Sequence, residues 1–191
     1  MLTLDSEPTR QKTEGRPTIA TSLVIRLVLD RADSTEAAVN LIRGYAMLAS
    51  SGRDYHFFIT DASGDSRVVE YDCDSPDRAM TVTRVEATTN FYAMHEDRVL
   101  PHQRNGRYGH GRERYDSVMD VIERTRGSAT SEDAWEALRV SSQPPDPEDI
   151  TSNTQWSIVY SNTDLAAEAS IRLHWEDRFG CDLRTGDVTK L

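Results

Sequence analysis

The hydrophobic period of this 191-residue chain changes at Tyr55, from helical spacing to alternation, and that change restricts the fold to helices combined with sheet. Upstream, Ala20, Leu23, Val24, Leu27 and Val28 recur at helical spacing and predict a helix over 19–30. Asp33, followed three positions later by Glu36, reads as a capping box for a second helix. Its apolar stripe, Ala38, Leu41, Ile42, Tyr45 and Leu48, runs to the stop at Ser50-Ser51-Gly52. Downstream, 55–60 and 66–71 are rich in aromatic and branched residues. The segment 61–65 between them supplies turn chemistry around Gly64, so the two runs predict a β-hairpin.

A third strand is expected over 79–87, where Met80, Val82 and Val85 punctuate polar residues, and a polar loop over 95–111. Tyr115, Val118, Met119 and Ile122 share one helical face. Thr130 with Asp133 opens a further helix carrying Trp135 and Leu138. The stretch 143–149, with Pro144, Pro145 and Pro147, reads as a rigid acidic connector, and strands over 155–160 and 168–175 bracket a turn at 161–164. Residues 1–17 have no periodicity and several breakers, which predicts a disordered tail before a single domain portion over 18–191. The expected class is α+β with largely antiparallel sheet.

Composition narrows the function classes. A net charge of -10 argues against a surface that neutralises phosphates, so nucleic acid is not an expected partner. No apolar run is long enough to span a bilayer and the N-terminal stretch is polar, so no membrane partner and a cytoplasmic location are expected. Cys73 and Cys181 stand far apart without metal-ligand spacing and read as buried free thiols. The five histidines, His56, His95, His102, His110 and His174, form no recognised ligand pattern, and His102 and His110 read as solvated residues of the polar loop, so neither metal nor cofactor is expected. Asp61 and Asp65 flank Gly64 as turn acids. Ser157 lacks a nucleophile elbow.

Four strings carry more: Asp61 to Ser66 with Val69-Glu70-Tyr71, then Thr89-Asn90-Phe91, then Gly111-Arg112-Glu113-Arg114-Tyr115, then Thr154-Gln155-Trp156-Ser157-Ile158-Val159-Tyr160. In this order they resemble the linear amide carbon-nitrogen hydrolases, the group of choloylglycine (bile salt) hydrolases, penicillin V acylases and isopenicillin N-type acyltransferases. The resemblance spans 19–183 and implies part of an N-terminal-nucleophile αββα sandwich. It further implies amide cleavage by a cysteine whose own α-amino group is the base.

On this resemblance, Asn90 matches the asparagine that lends its side-chain amide to the oxyanion hole, a task for a preorganised neutral donor. Read from the residues alone, it is an asparagine that ends a strand by bonding its own backbone. Arg114 matches the arginine beside the nucleophile, with Arg112 as the rival alignment. A cation in a helix's first turn gains nothing from the macrodipole, which favours a specific partner for it. Trp156, Ile158 and Tyr160 alternate with Gln155, Ser157 and Val159, as a strand between two unlike faces would.

The family's leading cysteine has no counterpart in 1–191. The favoured expectation is therefore the C-terminal portion of an amidase or acyltransferase acting on an N-acyl amide small molecule, completed by an N-terminal segment or by self-association. A catalytically inactive relative that serves as a binding or interaction module is the alternative. A separated portion of this kind should show apolar side chains on an uncovered sheet face.

Overall fold

The computed structural model describes residues 1–191 except Asp5, Thr13, Ser51, Asn105, Ile150 and Thr151. Of the sequence assignments, parts of the tail (Asp5, Thr13), the helix stop (Ser51) and the polar loop (Asn105) lie outside the described residues. The chain divides into two compact units, Met1–Glu113 and Arg114–Leu191.

The first unit runs β1 (Leu2–Leu4), β2 (Thr18–Ala20), α1 (Thr21–Arg31), α2 (Thr35–Arg43), β3 (Ala46–Leu48), β4 (Asp54–Thr60), β5 (Ser66–Tyr71) and β6 (Met80–Arg84), then a 3-10 helix at Ala93–Arg98. Its main sheet has the order β1-β4-β5-β6, antiparallel throughout, while β2 and β3 form a separate parallel pair. The hairpin forms as its pattern predicts, with Phe57 opposite Val69 and Thr60 opposite Ser66. Alternation then sends Phe57, Val69 and Tyr71 into a core with Val24 of α1, Val39 and Ile42 of α2, and Met47 of β3. Each such side chain contributes about 1.5–3 kcal/mol on burial.

Alternate residues on the other face, His56, Val68 and Glu70, are equally buried. Sheet covered on both sides explains why Asp54 to Phe57 form one uninterrupted buried run.

Three local expectations change. The expected disordered tail contains β1, which pairs with β4 and buries Leu4, and beyond it Thr9 is buried and Arg10 bridges to Leu48. A three-residue strand is stabilised by its partner rather than by its own propensity, so no periodicity announces it. Helix α2 is capped by Ser34, whose hydroxyl accepts the Ala37 N–H, one residue later than the expected Asp33. It stops at Arg43, before Gly44, a poor helix former, and the end of the apolar stripe becomes β3.

The second unit takes most of α3 (Arg112–Thr125), then α4 (Ser131–Val140) and a sheet of β7 (Trp156–Ser161), β8 (Ala166–Ile171), β9 (Arg178–Asp182) and β10 (Val188–Lys190) in the order β10-β9-β8-β7. The capping box at Thr130 and Asp133 forms in both directions. Trp135 of α4 is fully buried, donates Nε1–H to Glu168 Oε2 at 2.8 Å and lies under the Arg178 guanidinium at 4.4 Å. Strand β8 ends at Ile171 rather than at Trp175, because Arg172 takes a positive φ of 55° and turns the chain into two strands the sequence did not announce.

Register places Trp156, Ile158 and Tyr160 on one face with Ala167, Ala169, Ile171, Phe179, Cys181 and Val188. Trp156, Tyr160, Ile171, Phe179 and Val188 are all exposed, so the expected uncovered apolar sheet face is present. Glu168 and Arg178, which meet α4, lie on the opposite face.

Candidate functional site

Asn90 sits in a run whose neighbours are all buried: Thr89 at 5%, Phe91 at 1% and Tyr92 at 0% exposure, with Asn90 alone half-buried. Each neighbour is fixed by a separate partner. The Thr89 hydroxyl donates to the Gly111 carbonyl at 2.9 Å, and Phe91 bridges to Gly109. The Tyr92 hydroxyl donates to Asp54 Oδ2 at 2.6 Å and also meets the Ser6 hydroxyl. Burial pushes the Tyr92 phenol well above its ordinary range, with the Asp54 charge adding to the effect. Asp54 itself, fully buried at the start of β4, accepts the Thr9 N–H at 3.2 Å and has Arg78 Nη1 at 3.5 Å.

One turn further, Glu70 of β5 accepts the N–H groups of Ala93 and Met94 at 2.8 and 3.1 Å, satisfying the open N-terminus of the 3-10 helix. Its Oε1 is also 3.0 Å from His56 Nδ1. The Asn90 backbone is thus held from β4, from β5 and from the 109–111 segment.

That last contact joins two of the strings singled out in the sequence. The Asn90 carbonyl accepts the His110 N–H at 2.9 Å, and Tyr92 N–H donates to the Tyr108 carbonyl at 2.9 Å. Gly109 has φ 103°, and a Cβ there would collide with the Asn90 carbonyl oxygen, so only glycine permits the approach.

Arg112, the rival to Arg114, donates from Nη1 to the Glu96 carbonyl at 3.0 Å, a bond within the first unit. Arg114 is half-buried in the first turn of α3, at the start of the second unit. Ser157 is buried and faces its cross-strand partner Ser170. The second unit also has a cleft of about 440 Å³ at α4, β7 and β8, lined in part by Ser131, Tyr160, Asp164 and Glu168; none of the sequence-derived site residues lies in it.

The histidines divide. His102 and His174 are exposed, whereas His56 in β4 is buried and so is His95, which corrects the expectation of a polar loop beginning at His95. His95 Nε2 lies 3.2 Å from Asp72 Oδ1, and its ring packs against Tyr108 at 4.7 Å between centroids. A signal for His56 was present: counting back from the turn places it directly opposite Glu70. His95 offered none, since a loop contact buries it. Burial raises the Cys73 thiol above its ordinary range, the neighbouring Asp74 reinforces this and Arg107 opposes it.

No protein-family model matches this sequence, and no curated protein matches it either. Among solved structures, two variants of the conjugated bile acid hydrolase from Clostridium perfringens are similar, with TM-scores of 0.66 and 0.67. Each alignment covers 100% of this chain and 72% of the other at 13% identity. At that identity the likeness establishes a shared mixed helix and antiparallel-sheet fold. No helix among the described residues is long and apolar enough to cross a membrane.

Proposed function

We propose that this chain carries the oxyanion and substrate-holding portion of an amidase or acyltransferase of the linear amide carbon-nitrogen hydrolase type, built as part of an αββα sandwich. Its substrate class is a small N-acyl amide. Asn90 donates its side-chain amide to the tetrahedral oxyanion, and Arg114 supplies a permanent cation for the nucleophile's surroundings or a substrate carboxylate. In this reading the attacking cysteine comes from polypeptide outside these 191 residues.

The observation that carries this reading is the anchoring of Asn90. An oxyanion donor is worth roughly 2.7–4 kcal/mol of barrier only when it is in place before charge develops. Here the residues on both sides of Asn90 are immobilised by Gly111, Gly109, Asp54 and Glu70, while Asn90 alone in the run keeps access to solvent. The fold likeness to a bile acid hydrolase supports the same chemistry.

The test is expression of the chain together with the coding sequence that flanks it, followed by assay on a panel of N-acyl amides including conjugated bile acids. Hydrolysis or acyl transfer is expected, and Asn90→Ala should lower kcat by about 10²–10³-fold with little change in KM. An inert longer product, or an Asn90→Ala variant with unchanged kcat, overturns the proposal.

A further inference from the structure

Asp72 and Cys73 follow directly on β5, in the turn leading to β6, and His95 reaches the same place from the 3-10 helix. A carboxylate oxygen, the thiol sulfur and an imidazole nitrogen from these three all lie within 4.8 Å of one another. Among the described residues this is the group of mixed carboxylate, thiol and imidazole donors close enough to share one ion. Bond lengths of about 2.0–2.3 Å in a tetrahedron place ligand atoms roughly 3.3–3.8 Å apart. The His95 Nε2 to Asp72 Oδ1 distance of 3.2 Å is thus a few tenths short of a coordinated pair.

The donors are held from outside. Asp72 Oδ1 accepts the Asp74 N–H at 2.8 Å, and the Asp72 N–H donates to the Ala79 carbonyl at 2.9 Å. His95 is 7% exposed, with Tyr108 against its ring and Tyr92 edge-on at 6.0 Å. Arg107 donates to the Cys73 carbonyl at 2.9 Å. The adjacent Asp74 is occupied elsewhere: Arg107 at 2.8 Å, Arg98 at 3.0 Å and the Tyr108 hydroxyl at 3.2 Å surround its carboxylate. It stands 4.0 Å from His95 Nε2 as a neutralised neighbour rather than a ligand.

We propose that Asp72, Cys73 and His95 form a three-ligand site for a zinc-type divalent ion, leaving a fourth position to water or a small ligand. Thiolate and imidazole donors favour zinc over magnesium or calcium, which require oxygen. One carboxylate and one thiolate balance the ion's charge. As the metal–sulfur bond forms, the thiol proton leaves to solvent, so affinity rises with pH. The charged and titratable groups facing that sulfur are Asp72, Asp74, His95, Arg78, Arg107 and Tyr92. Arg78 and Arg107 oppose the ion and set the limit on its affinity. The site is independent of the amide-hydrolase reading.

Titration of the chelator-treated chain with Co²⁺ tests it. One equivalent should produce a thiolate-to-cobalt charge-transfer band and the intense visible bands of four-coordination, both displaced by Zn²⁺. Cys73→Ser should abolish the charge-transfer band, and His95→Gln and Asp72→Asn should each weaken binding at least tenfold, since even residues behind the ligands cost about 10–100-fold. Cys181→Ser should leave the bands unchanged. Zn²⁺ should also protect Cys73, but not Cys181, from alkylation in the unmutated chain, a readout that does not depend on any variant folding. Absence of the band at stoichiometric Co²⁺, its survival in Cys73→Ser, or equal alkylation of both cysteines with and without Zn²⁺ overturns the site.

Discussion

His56 and Glu70 meet across the β4–β5 hairpin, Nδ1 to Oε1 at 3.0 Å, with both side chains fully removed from solvent. Glu70 spends the rest of its carboxylate on two backbone N–H groups, so a single acid joins the sheet to the segment that follows Asn90. Nδ1 faces the carboxylate, while Nε2 has no hydrogen-bond partner among the described residues.

Removing that acid should therefore cost far more than a surface charge. Glu70→Ala strands an imidazole and two N–H groups in the interior and should lose about 3–5 kcal/mol of stability. Glu70→Gln keeps an acceptor and should lose only about 1–3 kcal/mol. Urea midpoints for the three proteins check the order; an alanine variant within about 0.5 kcal/mol of the parent would place the pair among inert surface contacts.

Gly109 should resist substitution for a reason other than propensity. Its φ of 103° and its contact with the Asn90 carbonyl leave no room for a methyl group. Gly109→Ala should lower stability by about 1–3 kcal/mol and loosen the 89–92 segment. Faster amide exchange at His110, whose N–H donates to Asn90, is the local readout. Unchanged protection at His110 would contradict the steric argument.

Acid should weaken the junction of the hairpin turn and α2. Asp61 is held well below the usual carboxylate range, first by the Ser63 hydroxyl and then by the Thr35 N–H. A depressed carboxyl contributes stability that is complete above its unfolded pKa of about 3.9 and is lost as pH falls toward the folded value. The stability of Asp61→Asn should therefore depend less on pH than the parent's below about pH 4. Parallel pH profiles for the two proteins would rule this out.

At α4, Thr130→Ala removes a hydroxyl that accepts the Asp133 N–H and should cost about 1 kcal/mol. Asp133→Ala removes the return bond to the Thr130 N–H. The double variant should cost less than the sum of the two, because they share one motif, and thermal unfolding of the four proteins measures the coupling.

The elements legible in the sequence are those whose stability is local. The hairpin, α1, α3 and the capping box of α4 were announced by alternation, helical spacing or turn chemistry within a few residues of themselves. Strand β1 was not, because Leu2 to Leu4 are extended only by virtue of β4. The stripe ending in Leu48 misled because Gly44 stops the helix before the period does, so that Met47 becomes the buried residue. At the candidate site, Asn90 was reached through resemblance, while its anchors Asp54, Glu70 and Gly109 required the tertiary pairing. His95 reaches Asp72 across 23 positions, and no local pattern encodes such a meeting.

The sheet β7–β10 is clothed by α4 on one side and presents Trp156, Tyr160, Ile171, Phe179 and Val188 bare on the other. With a net charge of -10, copies of this chain repel one another in dilute buffer. Added salt shortens that repulsion to about 8–10 Å while leaving the bare aromatic surface as attractive as before. Ionic strength and protein concentration, more than heat, should therefore set how long a preparation stays clear, and detergent below its micellar threshold should extend that time.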